Sequence, residues 1–167
     1  MTRKRIPEQE LKVVNVRLVK EPSLYSETPI RNPDDVVQVM AKELAQFDRE
    51  AFCVLNMNTN GTVINMSVVS LGTLDSAVIS PREVYKSSIL SNAASIIVLH
   101  NHPSGNTNPS REDRQVTKKL IRAGNDLDIP VTDHIIVGGG SGNTYSFKEH
   151  GDLEVLKRAV LSRDMER

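Results

Sequence analysis

Three side chains of the kinds that bind metal ions, His100, His102 and Asp113, fall within fourteen residues of this chain. Zinc accepts neutral imidazole nitrogen and carboxylate oxygen, and a catalytic zinc site commonly combines three protein ligands with a fourth position for water. A magnesium or calcium site would draw mainly on oxygen, and a structural zinc site would normally include cysteines, of which the chain has only Cys53. The spacing therefore predicts a zinc-activated water, and with it a hydrolase.

The two histidines follow a short apolar run, residues 93–99, whose second half is rich in β-branched side chains. Turn-forming residues at 103–105 close this segment, so it is predicted to be a buried β-strand. Because side chains two positions apart on an extended chain project to the same side, His100 and His102 can converge on one ion. Asn101 is then expected to point away from that ion.

Asp113 lies near the start of a helix predicted over residues 110–125, in which apolar residues recur at helical spacing. That spacing places its carboxylate on or beside the buried face, where an unpaired charge costs on the order of several kcal/mol. A metal ion would remove this cost. Ser110, which follows Pro109 and precedes an acid by three positions, matches an N-terminal capping pattern.

Helical and extended patterns alternate along the rest of the chain. Helices are predicted over residues 33–47, 81–90 and 152–163, and strands over 51–57 and 131–137, with hairpins at Asn60-Gly61 and at 138–142. Strands that alternate with helices indicate α/β or α+β layering. The glycine-rich stretch at 138–142 lacks the lysine and the strand-to-helix setting of a phosphate-binding loop.

Length and composition fit one globular domain, since the chain has 167 residues of which 38% are hydrophobic and 25% charged. We place this domain at residues 32–163, after an N-terminal extension over 1–31 that contains a predicted strand at 11–19 and a loop or linker at 22–29. No apolar stretch reaches the roughly 18 residues that span a membrane, and the N-terminus lacks a signal-peptide core. A cytoplasmic protein is therefore expected, and a single cysteine agrees with a reducing compartment.

The motif residues resemble those of a known family. His100, Asn101 and His102, then Ser110 after seven residues and Asp113 after two more, resemble the JAMM motif of MPN-domain metalloproteins. The hexapeptide His-Asn-His-Pro-Ser-Gly that begins at His100 is similar to the bacterial RadC branch of that family.

The flanking sequence extends this resemblance to roughly residues 32–150, because the segments at 72–75, 81–84 and 133–138 also look like RadC-type sequence. The resemblance implies an MPN/JAB domain, α/β in class, with a mixed β-sheet flanked by helices in a cytidine-deaminase-like architecture. A helix-hairpin-helix region usually precedes this domain in full-length RadC proteins. Only about thirty residues precede it here, which predicts the short, stand-alone form.

The resemblance also implies roles for two further residues. In that family a glutamate ahead of the central strand takes a proton from the zinc-bound water, and the motif serine helps to hold the oxyanion; Glu50 and Ser110 are the matching residues. A carboxylate that acts as base and then as acid toward the leaving amine contributes typically ~10²–10⁴ in rate. A hydroxyl donor to the oxyanion contributes about 3 kcal/mol.

Each of these assignments has a structural alternative. Ser110 can cap its helix with or without a catalytic role. Glu83 is the main rival of Glu50, but it fits a capping box over residues 80–83 with proline at the first helical position, so we interpret it as structural. Ser104 as a nucleophile is disfavoured, because both nearby imidazoles are better used on the metal.

Asp133 and His134 lie at the start of the strand predicted over residues 131–137. They could orient a metal ligand by a hydrogen bond from behind it. We favour instead a hydrogen-bonded histidine at a strand edge, and neither residue is assigned a catalytic role.

These observations predict a zinc-dependent metallohydrolase, a peptidase or isopeptidase that acts on an amide bond of a peptide or protein substrate. Two alternatives stay open: a DNA-repair-associated RadC-like protein, and a zinc-binding interaction module without significant turnover. Direct nucleic-acid binding is disfavoured, because the formal net charge is zero and only three phenylalanines and three tyrosines could stack on bases. A zinc nucleobase deaminase would need a paired-cysteine segment, which is absent from the sequence.

Overall fold

A computed structural model describes residues 17–19, 33–72 and 79–164. Helices and strands follow one another in these residues as α1 (Pro33–Leu44), β1 (Ala51–Met57), β2 (Val63–Leu71), α2 (Pro81–Leu90), β3 (Ser95–His102), α3 (Arg111–Asp126), β4 (Val131–Gly138), β5 (Thr144–Ser146) and α4 (Asp152–Asp164). The strand predicted over 11–19 lies mostly outside the described residues, and the linker predicted over 22–29 lies wholly outside them. No helix in the described ranges is both long and apolar enough to cross a membrane.

The strands form one five-stranded mixed sheet in the order β2-β1-β3-β4-β5. The central strand β3 is antiparallel to β1 and parallel to β4. Helix α3 makes the connection between the two parallel strands, and antiparallel hairpins join β1 to β2 and β4 to β5. A mixed sheet flanked by helices is the fold class that the sequence predicts, and this prediction is confirmed.

Two hydrophobic clusters cover opposite faces of this sheet. One cluster joins the side chains of Ile96 and Val98 to apolar residues of α2, α3 and α4. The other joins Ile97 and Leu99 to α1. Because side chains alternate along β3, the even-numbered positions at its carboxyl end face α3 and the odd-numbered positions face α1.

The structure corrects two predicted boundaries. Strand β3 continues to His102, so both motif histidines belong to the strand instead of following it; Phe52 of β1 and Ile136 of β4 flank His100 in the register. Helix α1 ends at Leu44, three residues before the predicted end, and Phe47 is exposed in the turn that follows. Ladder bonds to both neighbouring strands extend β3 beyond its own apolar run.

The capping box predicted over residues 80–83 is wrong. Ser80 is the N-cap of α2 and Pro81 occupies the first turn, but the Ser80 side chain makes no capping hydrogen bond. The Glu83 carboxylate instead accepts a hydrogen bond from Lys86 Nζ at 2.6 Å on the exposed side of the helix. Solvent screens an exposed pair of this kind, so it contributes little to stability and Glu83 keeps a modest structural role.

Gly124 of α3 is packed so closely that we expect Gly124→Ala to destabilise the fold. An added Cβ would meet the Tyr85 hydroxyl and, at 2.6 Å, the backbone oxygen of Ile129. Alanine normally gains about 1 kcal/mol over glycine inside a helix, whereas overpacking costs about 1–3 kcal/mol. Because the obstructing Ile129 oxygen belongs to the backbone and cannot easily move aside, the overpacking cost should lie near the upper end of that range, and urea unfolding should show a net loss of roughly 1–2 kcal/mol. Gln115→Ala on the exposed side of α3 should change stability by less than about 0.5 kcal/mol; unchanged or higher stability in Gly124→Ala would contradict this account.

Candidate metal centre

The structure brings His100, His102 and Asp113 together at the carboxyl end of β3, where they form a group that could hold a metal ion. His100 Nε2 lies 3.0 Å from Asp113 Oδ1 and 2.9 Å from His102 Nε2. His102 Nε2 lies 3.4 Å from Asp113 Oδ2. The sequence-predicted ligand set is therefore a spatial cluster.

The spacing of these atoms fits a tetrahedral ion. Bonds of 2.0–2.1 Å would place tetrahedral ligand atoms about 3.3–3.4 Å apart, within about half an ångström of the observed separations. His102 Nδ1 lies 2.7 Å from the Asn106 carbonyl oxygen. Since a carbonyl only accepts, Nδ1 carries the proton in the neutral ring, and the lone pair of His102 Nε2 faces the cluster. The ligand atoms of the three side chains therefore converge on a point where they would stabilise a cation.

Strand and helix each place part of the cluster. Strand β3 sends His100 and His102 to the α3 side of the sheet, and the first turn of α3 brings Asp113 to them. Ser110 is the N-cap of α3: its Oγ accepts from the Asp113 backbone N–H at 3.0 Å, and Asp113 Oδ2 accepts from the Ser110 backbone N–H at 2.7 Å. The predicted capping role of Ser110 is confirmed, and this reciprocal capping fixes the carboxylate at the helix start.

The local charges keep Asp113 ionised. Burial by itself would raise the pKa of its carboxyl, but hydrogen bonds with His100, His102 and Ser110 outweigh burial and hold the pKa well below its ordinary value. The hydrogen bond with Asp113 raises the pKa of His102, against the opposing effect of burial, and the negative charge of Glu50 adds to the rise. The cluster thus has a permanent negative charge beside two imidazoles.

Glu50 lies beside this cluster in a small cleft. His100, Asp113 and Glu112 line the same cleft, and its other walls are apolar: Ala51, Phe52, Ile79 and Val116. The cleft volume of about 70 Å³ admits a few waters, because one water needs roughly 10–15 Å³. The Glu50 carboxylate, the candidate metal centre and several apolar side chains therefore border one cleft that can hold a few waters.

The backbone around Glu50 is held by Asn101, the residue between the two histidines. Asn101 is fully buried and points to the side of the sheet opposite the histidines, as predicted. Its Oδ1 accepts from the Ala51 N–H at 2.7 Å, and its Nδ2 donates to the Arg49 carbonyl at 3.0 Å. The Glu50 carbonyl also accepts from the Gly72 N–H at 2.8 Å. Hydrogen bonds on both sides of Glu50 thus tie it to the strand that carries the histidines.

A family model described as RadC-like JAB domain matches residues 30–152. The chain belongs to the RadC-like JAB domain family.

Three relatives of this RadC-like JAB domain are called UPF0758 proteins. The chain is 42% identical to that of Caldanaerobacter subterraneus subsp. tengcongensis over 125 residues, which is 75% of this chain and 54% of the relative. It is 47% identical to that of Rubrobacter xylanophilus over 124 residues (74% and 53%) and 49% identical to that of Desulforamulus reducens over 109 residues (65% and 48%). The chain spans about half the length of these curated relatives.

His134 is the residue of the RadC-like JAB domain whose position the sequence does not predict. Its strand, β4, lies between β3 and β5 and is not a sheet edge, and its ring is completely buried with Nε2 at 2.8 Å from His100 Nδ1. Burial, followed by the charge of His100, lowers the pKa of His134 well below its ordinary value, so the ring is neutral. The sequence feature that could have indicated a role for His134 is an ionisable side chain within a strand of mostly apolar residues.

The other candidate side chains, Asp133, Ser104 and Cys53, make local hydrogen bonds or pack in the core and do not belong to the metal cluster. Asp133 accepts hydrogen bonds from Ser146 Oγ at 2.6 Å and from the Lys148 N–H at 2.9 Å, which fixes the turn after β5. Ser104 is exposed, and its Oγ accepts from the Asn106 N–H at 3.4 Å. Cys53 faces α1, and burial raises the pKa of its thiol to about 12. A thiol with that pKa is a poor nucleophile.

Proposed function

We propose that this RadC-like JAB domain is a zinc-dependent hydrolase that cleaves an amide bond in a peptide or protein, as a peptidase or isopeptidase. The observation that carries the proposal is the convergence of His100, His102 and Asp113 beside a cleft that also contains Glu50. Two imidazole nitrogens and one carboxylate are the ligand types of a catalytic zinc site with an open position.

When bound, zinc would lower the pKa of water toward about 7 and polarise the amide carbonyl. The chain itself must supply the proton transfers. Glu50 shares the cleft with His100 and Asp113, so its carboxylate can accept a proton from the attacking water and return it to the leaving amine nitrogen. The apolar walls of the cleft would limit access of bulk water to this exchange.

Ser110 would have a double role. Its Oγ–H donates to Asp113 Oδ2 at 2.6 Å, and this bond keeps the carboxylate oriented. To stabilise an oxyanion as well, the hydroxyl would have to turn from Asp113 toward the substrate carbonyl, while its oxygen continued to accept from the helix N–H. We therefore assign Ser110 first to orientation of Asp113 and second to the oxyanion.

Metal dependence of cleavage tests the proposed function. Purified chain, loaded with zinc and assayed by mass spectrometry against peptides and lysine-linked isopeptides, should cleave a subset of these amides. Removal of the metal with a chelator should abolish cleavage, and added zinc should restore it. A protein that binds no metal would overturn the proposal. One that holds zinc but cleaves no amide would be a binding module, and binding to DNA that does not depend on the metal would support a repair role instead.

A further inference from the structure

A chain of buried hydrogen bonds leads from one candidate ligand to the backbone of another. His100 Nδ1 lies 2.8 Å from His134 Nε2, and His134 Nδ1 lies 2.7 Å from Thr117 Oγ1. Thr117 Oγ1 in turn donates to the Asp113 carbonyl oxygen at 2.6 Å. His134 and Thr117 are both fully buried, so water does not compete for these bonds.

The direction of these bonds follows from the hydroxyl of Thr117. A hydroxyl has one proton, and the Asp113 carbonyl can only accept it. Thr117 Oγ1 must therefore accept from His134, which places the His134 proton on Nδ1. The remaining nitrogen of the neutral ring, Nε2, carries a lone pair and accepts from Nδ1–H of His100. When the His100 ring is neutral, this leaves its Nε2 without a proton, and Nε2 is the nitrogen that faces His102 and Asp113.

We propose that His134, held by Thr117, is a positioning residue that keeps His100 in the tautomer able to ligate a metal. The proposal rests on the proposed function only in requiring that a metal binds at this cluster. Metal-ligating histidines usually donate their second N–H to a carboxylate, a carbonyl or water, which accept regardless of tautomer. His134 can accept from His100 in one tautomer only, and the hydroxyl of Thr117 selects that tautomer. Thr117 therefore influences His100, a candidate ligand that it does not contact.

The competing explanation is that His134 only fills space. Its ring stacks on Phe147 with centroids 4.7 Å apart, and it meets the edge of Phe52 at 5.8 Å. Phenylalanine would preserve this aromatic packing but could not accept a hydrogen bond from His100. Glutamine would lose the ring but would offer a carbonyl oxygen to His100 Nδ1–H. The two substitutions therefore separate packing from positioning.

Zinc affinity, measured by competition with a chromophoric chelator, tests the proposal. His134→Phe should weaken binding by about 10–100-fold, the range found when such a partner is removed, and His134→Gln should recover most of the loss. Thr117→Val should also weaken zinc binding, whereas Thr117→Ser, which keeps the hydroxyl, should retain an affinity close to that of wild type. His150→Phe is the matched control, because His150 also stacks on an aromatic ring, Tyr145 at 3.9 Å, but on the surface; its affinity should stay within about twofold.

Long-range ¹H–¹⁵N spectra of the wild-type imidazoles supply a readout that does not depend on the folding of any variant. In both the metal-free and the zinc-loaded protein, His134 should be protonated at Nδ1 and bare at Nε2. A proton on Nε2 of His134 would overturn the proposal, as would undiminished zinc affinity in a folded His134→Phe protein. Wild-type protein that binds no zinc would instead overturn the proposed function.

Discussion

Replacement of Glu50 by glutamine is expected to lower the rate of amide hydrolysis by about 10²–10⁴-fold, the usual contribution of a general acid–base group. Glutamine has nearly the same shape but cannot accept the proton. Because Asn101 holds the peptide groups on either side of position 50 through backbone atoms, the substitution should leave the cleft intact. Zinc content should stay at the wild-type level, and the loss should fall on kcat more than on KM.

Glu112→Gln is the matched control for this prediction, since Glu112 is the exposed acid that lines the same cleft. It changes the local charge equally but removes no assigned proton acceptor, so hydrolysis should change by only a few-fold. Comparable losses in Glu50→Gln and Glu112→Gln would point to a general effect of charge. An unchanged rate in Glu50→Gln would remove Glu50 from the mechanism and leave the metal centre untouched.

Asp113→Asn is expected to lower zinc affinity by more than about 100-fold, beyond the ~10–100-fold range for partners of ligands. The carboxylate supplies the negative charge of the three-residue cluster, and its depressed pKa keeps that charge available to a cation. The asparagine carbonyl can still accept from the Ser110 N–H, so the helix cap should survive in part. Chelator competition should therefore show the loss of zinc affinity. Urea unfolding of the metal-free protein should also show reduced stability, because the hydrogen bonds and charges that depress the pKa of Asp113 stabilise its ionised form in the fold.

The control for this substitution is again Glu112→Gln, which removes one negative charge from the same turn of α3 without touching the histidines. Its zinc affinity should lie within a few-fold of wild type. If Asp113→Asn bound zinc as tightly as wild type, the third ligand would have to come from another side chain. Glu50 would then be the first to test, since it lines the same cleft.

The parts of the site that depend on local geometry could be predicted from the sequence. His100 and His102 share a face because strand side chains alternate, and Asp113 reaches them because the capping pattern at Ser110 starts the helix at the right residue. Each of these inferences needs only the conformation of a few neighbouring residues. The opposite orientation of Asn101 follows from the same alternation.

Contacts between distant segments could not be predicted in this way. Asn101 bonds to residues fifty positions earlier, and His134 meets His100 only because β4 pairs beside β3 in one register, with Val98 opposite His134. A shift of one residue would have sent the His134 ring to the other face. The prediction that His134 lies at a sheet edge was wrong, because strand order is a property of the whole sheet and does not follow from the local sequence. The early end of α1 and the absent Ser80 cap are smaller failures at element ends, where assignments commonly vary.

The three candidate ligands belong to one continuous segment, residues 100–113. By the loop-entropy relation for cross-links, closing about 15 residues removes about 3 kcal/mol of freedom from the unfolded chain, against about 4.7 kcal/mol for about 100 residues. Histidines so near in sequence can also bind metal in the unfolded chain, which subtracts from the stabilisation of the native state. A bound ion would thus contribute little to holding distant parts of the domain together. The two hydrophobic clusters hold those parts together, so an ion bound here would suit a catalytic role better than a structural one.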